Sequence, residues 1–364
     1  MKNAVAGLRF LLLAAVVVGL VNAPSLNAAE KSWEDETVLV SPQGDQTVAQ
    51  AFKGQKVLFK NADPQLAIEW GLANARTTVV LAGKYVVADR IDVPRDGVTL
   101  IIDQGAEISL NGDTKHTSIT PGFRGRNGKL YPHPALIYNK GRNNVRVMCF
   151  GTLRGPGPIF FDGRNEKRTC GIEGGLVAAA GSPDNCYTLN DCRGVRVPLM
   201  AVNTGLPSTL GMEGCEGCNL GTVVNLAAKP GGKTGEVVDL NSSCRNITIE
   251  CLIGERSQEI IDMNGSHANV KELISVGVPQ KLLCFCVRAG ARWTSRPACP
   301  NRLDVWKASV LEDATSSALR VEVPKLPEAL PRFTVKATVE VTLKDGGKKA
   351  YTKAVEIDVR DSGS

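Results

Sequence analysis

A repeat between residues 189 and 269 constrains the fold of this chain more than any other feature of its sequence. Leu189-Asn190-Asp191-Cys192, Met212-Glu213-Gly214-Cys215, Leu240-Asn241-Ser242-Ser243-Cys244 and Met263-Asn264-Gly265-Ser266-His267 align, followed in turn by Gly194, Gly217, Asn246 and Asn269. The step is 23 residues from Cys192 to Cys215 and again from Cys244 to His267. Between them it lengthens to 29, as an inserted loop would make it. Upstream, the stretch from Tyr138 to Val145 fits the same template. Periods of this size mark arrays of one recurring supersecondary unit.

In each copy a short strand ends, the chain bends through a position needing φ > 0, and a second β-like run begins, as in Val195-Arg196-Val197 or Ile247-Thr248-Ile249. Gly adopts that bend freely and Asn tolerates it next best. Val238 and Leu240 point one way and Val237 and Asp239 the other, a period of two that speaks against a helix. Strands stacked rung on rung share one continuous core, so no single copy is stable alone. An ordinary β-sandwich is the competing reading.

The N-terminal part points the same way. Asp63-Pro64 is a helix start, with Asp as N-cap and Pro at the first helical position, and Leu66, Trp70 and Ala73 would share one face. Three β-like runs follow, Thr78 to Leu81, Val98 to Asp103 and Ala106 to Leu110. The order of that helix, "VVLAGKYVVADRIDV" and "GVTLIIDQGAEISLNG" resembles the opening of pectate-lyase-like right-handed parallel β-helix proteins. "NNVRVMCFGTLRGPG" is similar to their turn, strand and Gly-rich coil, and the resemblance runs from about Phe59 to Val287. It implies an all-β chain: a right-handed parallel β-helix over residues 30–300, with the first helix capping its open end. From Arg302 the repeat stops. Val335, Ala337, Val339, Val341 and Leu343 alternate with polar residues, and Asp345-Gly346-Gly347 reads as a hairpin turn. Residues 301–364 are therefore expected to be a small antiparallel β-module, sandwich-like or capping.

Lys2 and Arg9, the apolar run from Phe10 to Val21 and the small residues Asn27-Ala28-Ala29 fit a cleaved signal over residues 1–29. The expectation is a secreted or periplasmic monomer without a membrane span. Net charge is +6, or +4 without Lys2 and Arg9, and aromatics are only 5%, which argues against nucleic acid as a partner. Eleven cysteines allow disulfides in such a compartment, and the odd number leaves one over.

Outward side chains on successive rungs form columns, and a site would be one of them. Aligning Leu240 with Met263 sets Asp239 over Asp262 and Glu236 over Glu259. Two carboxyls at the strand spacing of about 4.8 Å hold one proton more tightly, as an acid and base pair for glycoside hydrolysis requires. The same oxygens would suit a calcium ion, though no cofactor is called for and no metal ligand is assigned. A solvated acidic surface is the bland alternative. His267, on the following turn, is a candidate proton shuttle. Lys271 and Arg245, with Arg124 and Arg126 in the long basic insertion, could hold an acidic polysaccharide, although charge balance explains them equally well. Asn139, Asn190, Asn241 and Asn264 read as a structural amide column. Cys215-Glu216-Gly217-Cys218 with Cys284-Phe285-Cys286 would make a zinc set, which is set aside because the first pair falls where core or turn cysteines belong. A disulfide is the better reading for Cys170, Cys186 and Cys192.

The resemblance implies carbohydrate chemistry, but the residue motifs of polygalacturonase-like enzymes do not follow. Asn203-Thr204 is followed by Gly205, no Asp-Asp occurs, and His267 lies in Gly265-Ser266-His267. The expectation is an exported polysaccharide-active protein, a glycoside hydrolase ahead of a polysaccharide lyase, using Asp239, Asp262 and His267. The alternative is a non-catalytic β-helix that binds or adheres at the cell surface.

Overall fold

The structure, a computed structural model, describes residues 32–111, 135–155, 159–163, 171–180, 187–203, 208–229, 232–241, 244–279, 281–285 and 301–360. The expected signal, Arg124 and Arg126 lie outside these residues. Among the described residues the chain is built from strands with one helix, and two parallel sheets dominate. In the C-terminal half the chain alternates between them. Strands Arg196–Val202, Asn219–Asn225, Ile247–Glu255 and His267–Val276 lie side by side in a twelve-stranded sheet. The intervening strands Ser208–Glu213, Glu236–Asn241 and Glu259–Met263 lie side by side in an eight-stranded one. A parallel neighbour cannot be reached by a tight hairpin, so each connection crosses to the other sheet before returning.

Register follows the repeat. Leu189 pairs with Met212, Met212 with Leu240, and Leu240 with Met263. The left-handed turn positions fall at Gly194 (φ 65°), Gly217 (φ 64°) and Asn246 (φ 54°), and upstream at Asn144 (φ 52°). In the last copy Gly265 (φ 67°) makes the bend instead, and Asn269 lies within strand His267–Val276 opposite Thr248. That turn is shorter, so the next strand starts before Asn269 is reached. One core runs between the sheets, joining Val223, Leu240, Leu252, Ile261 and Leu273.

The helix Pro64–Asn74 begins as expected, with the Asp63 carboxylate accepting from the Gln65 N–H at 2.9 Å. Its buried face is Ala67, Ile68, Gly71 and Leu72, one step round from the predicted one, and Leu66 is exposed. Gly71 sets the rotation: a Cβ there would come within 2.8 Å of Thr78 Cγ2, so this side of the helix lies directly on the strand below. Trp70 stays half-buried and stacks on Phe59 at 5.6 Å.

The expected boundary at residue 301 falls later. Strand Arg302–Leu311 pairs in parallel with His267–Val276 and extends the twelve-stranded sheet. Only Ala314–Glu322, Arg332–Leu343 and Lys348–Asp358 form the antiparallel sheet, its hairpin turning at Gly346 (φ 83°). Phe333, Val335, Val339, Val341 and Ile357 pack on the outer face of the twelve-stranded sheet against residues such as Met148, Phe150, Leu199 and Val224. Arg146 reaches the Asp358 carbonyl at 3.1 Å across the same junction. No helix among the described residues is long and apolar enough to cross a membrane.

Candidate active site

The site lies on the outer face of the eight-stranded sheet. Val238, Leu240, Ile261 and Met263 enter the core, so pleating turns Asp239 and Asp262 outward, and these two are Cα partners on adjacent strands. On the opposite side Asp239 is partnered by Gly211, where an added Cβ would meet nothing nearer than the Tyr187 carbonyl oxygen at 3.8 Å. That glycine leaves room beside the carboxyl.

Other carboxyls crowd in. The same register sets Glu236 beside Glu259, and oxygens of Glu236, Glu259 and Asp262 lie within 4.8 Å of one another. Ser208 donates its hydroxyl to Glu236, and Asn241 Nδ2 donates to Asp239 Oδ2 at 2.7 Å. The other oxygen, Asp239 Oδ1, is shielded from solvent and has no hydrogen-bond partner.

These surroundings set the charge. Burial, followed by the negative neighbours Glu236 and Asp262, pushes the Asp239 carboxyl up to about 8, against the pull of the Asn241 hydrogen bond. Burial also raises Glu236, with the Ser208 hydroxyl working the other way. Asp239 therefore keeps its proton near neutrality with further carboxyls at hand. Chemically, that is a proton donor inside an acidic cluster.

Not every predicted site residue meets here. His267 opens a strand of the twelve-stranded sheet, with Arg302 as its partner. Between Asp262 and His267 the chain bends at Gly265 and changes sheet, which separates the histidine from the pair by topology. Lys271, on the same strand, is bound to Glu250 at 2.7 Å. Arg245 sits in the turn between sheets, bridged through backbone to Glu216. The groups acting on Asp239 are Glu236, Asp262, Asn241 and Glu213 instead. Ser208, Gly211 and Glu213 are additions. Glu213 could have been found, because Met212-Glu213 occupies the repeat position of Leu240-Asn241.

Two further readings change. Asn190 and Asn241 share a column, but Glu213 stands between them. Asn139 lies in the core-facing register opposite Phe161 and holds the Arg142 backbone at 3.0 Å. Cys192 is a free buried thiol, not a disulfide partner, while Cys170 and Cys186 lie outside the described residues.

No family model matches the chain, and no curated protein does. One solved structure, Geobacillus virus E2 ORF18, aligns over 81% of this chain and 73% of its own at 9% identity, with a TM-score of 0.24. A likeness that slight carries no inference about fold or function.

Proposed function

We propose that this chain is an exported right-handed parallel β-helix protein of the pectate-lyase-like type, and that it cleaves a polysaccharide by glycoside hydrolysis. The observation that carries this reading is the outward Asp239/Asp262 pair, one member of which holds its proton near neutral pH. Asp239 is the general acid that protonates the leaving glycosidic oxygen, and Asp262 is the carboxylate partner that assists attack. The alternation of the chain between two parallel sheets, with turns repeating at fixed register, supports the β-helix. The open position at Gly211 supports a glycan lying across the strands beside Asp239.

The trio Glu236, Glu259 and Asp262 favours one variation. Calcium takes several oxygens at about 2.3–2.6 Å, and oxygens within 4.8 Å of one another fit around such an ion. Calcium here would supply the charge neutralisation that β-elimination from an acidic glycan needs.

A panel of neutral and acidic polysaccharides, assayed with and without calcium, separates the cases. New reducing ends without ultraviolet-absorbing product mark hydrolysis, and unsaturated product marks elimination. Asp239→Asn should lower turnover by about 10²–10⁴-fold while the chain stays folded. Turnover that survives both Asp239→Asn and Asp262→Asn, or no cleavage of any glycan, overturns the enzymatic reading. Saturable glycan binding without turnover would then favour a binding or adhesion protein.

A further inference from the structure

Strand Arg302–Leu311 is the last of the twelve-stranded sheet, and among the described residues no strand pairs with its free side. Elsewhere in the stack the helix Pro64–Asn74 covers the core, contributing Ala67, Ile68 and Leu72 to it. At the last strand the core columns run on without such a cover. Leu303 and Val305 are the register partners of buried Ala268 and Val270, yet they are only half-buried. Val310 is 39% exposed and Trp306 75%. A long edge carrying apolar side chains is a template for a further strand.

A bend makes this strand read the same from either end. Val270 and Leu273 both enter the core although three positions separate them, so strand His267–Val276 bends between them and its neighbour bends with it. On Arg302–Leu311 this turns Leu303, Val305, Ala308 and Val310 inward, and Asp304, Ser309 and Leu311 outward. Trp306 and Lys307, at the bend, are both exposed. The backbone follows the same pattern. The Arg302 N–H donates to the Ser266 carbonyl, and the Leu311 carbonyl accepts from the Gly277 N–H, both toward the preceding strand. Alternation then leaves the N–H and C=O groups of Leu303, Val305, Ala308 and Val310 on the free side. Side chains and backbone groups are thus both symmetric about the midpoint between Trp306 and Lys307.

We propose that this edge is a dimer interface, pairing with the same strand of a second copy in antiparallel register about Trp306 and Lys307, in place of the monomer expected from the sequence. In that register Leu303 meets the partner's Val310 and Val305 meets the partner's Ala308. Inward side chains then lie beside inward side chains, and each of these pairs can exchange two backbone hydrogen bonds. Trp306 meets the partner's Lys307, a cation beside an aromatic ring, and the symmetry repeats the contact. Asp304 faces the partner's Ser309, and no like charges fall opposite one another. A slip of one residue would set inward side chains against outward ones. The other end of the sheet, Val57–Asn61, suits this edge less well. It is five residues long against ten, so head-to-tail pairing would leave half of Arg302–Leu311 uncovered.

Sedimentation equilibrium on the full chain, run over a series of concentrations, should show monomer and dimer in exchange and nothing larger. Trp306→Lys sets like charges opposite each other at both central positions, and it should weaken dimerisation at least tenfold. Because Trp306 is largely exposed, the variant's thermal melt should match the parent's at dilutions where both are monomers. A monomer at every concentration, growth beyond the dimer, or a dimer that Trp306→Lys leaves equally tight overturns the proposal. Hydrogen exchange on the parent does not depend on how the variant folds. The amides of Leu303, Val305, Ala308 and Val310 should exchange at least tenfold more slowly where the dimer prevails than where the monomer does. Exchange at these four positions that ignores concentration sinks the edge pairing.

Discussion

Asp239 and Asp262 are Cα partners on neighbouring parallel strands, and the Asp239 carboxyl is pushed up to about 8. Burial is the first cause, and the negative charges of Glu236 and Asp262 follow. Asp239 Oδ1 is shut off from solvent without a hydrogen-bond donor. Such a group prefers its neutral form.

That preference makes stability depend on pH. A carboxyl whose folded pKa exceeds its unfolded value, near 3.9, binds more protons in the folded state between those two values. Stability should therefore fall as pH rises from about 4 to about 8 and level off above that. The loss is on the order of a few kcal/mol, since each tenfold change in proton affinity is worth about 1.4 kcal/mol. Asp239→Asn removes the titration, so its melting temperature should exceed the parent's at pH 8 and match it at pH 4. Equal differences at both pH values would count against a raised Asp239.

Catalysis should carry the same signature. If Asp239 is the acid, activity falls as pH rises through about 8. Glu236 is the larger charged contributor to the raised value and Asp262 the smaller, both after burial. In Glu236→Gln the alkaline limb of the kcat/KM profile should move to lower pH. The readout is the limb's midpoint, and an unmoved midpoint would mean that another group supplies the proton.

The register of this site is readable in the sequence because each rung repeats its turn chemistry. Gly194, Gly217 and Asn246 mark the bends, and aligning Leu240 with Met263 pairs Asp239 with Asp262. His267 is misplaced by the same alignment because the strand after the Gly265 bend begins at His267 itself, in the other sheet. Strand Arg302–Leu311 reads as part of the C-terminal module because alternation alone does not distinguish a parallel from an antiparallel partner. The covered outer face does carry a sequence signal. Val223-Val224 and Leu252-Ile253 are consecutive apolar runs, as strands buried on both faces require. The carboxylate trio has only a partial one, since side-chain reach is not contained in a register.

The C-terminal sheet should be a structural partner of the parallel stack. Phe150 and Phe333 meet edge to face at 5.9 Å, one from each side of the junction. Phe333→Ala should cost about 3–5 kcal/mol in a denaturant titration. In a double-mutant cycle with Phe150→Ala, the coupling should be about 0.5–1.5 kcal/mol. A coupling near zero would mean that the two sheets are held together by other contacts.

Two glycines on consecutive strands of different sheets should respond in opposite ways. At Gly221 a Cβ would come within 2.1 Å of the Pro198 carbonyl oxygen, so Gly221→Ala forces backbone apart. At Gly211 the same atom meets only ordinary contacts, at 3.8 and 3.9 Å. Gly211→Ala should therefore leave stability unchanged or raise it by about 0.4–1 kcal/mol, because alanine restricts the unfolded chain more than glycine does. Gly221→Ala should destabilise by more than that gain. The Gly211 site then allows a test of position that keeps every carboxyl in place. Gly211→Tyr fills the space beside Asp239, and on a cleaved glycan it should raise KM at least tenfold with the fold intact. An unchanged KM in a folded Gly211→Tyr chain would mean that the substrate does not pass over this strand.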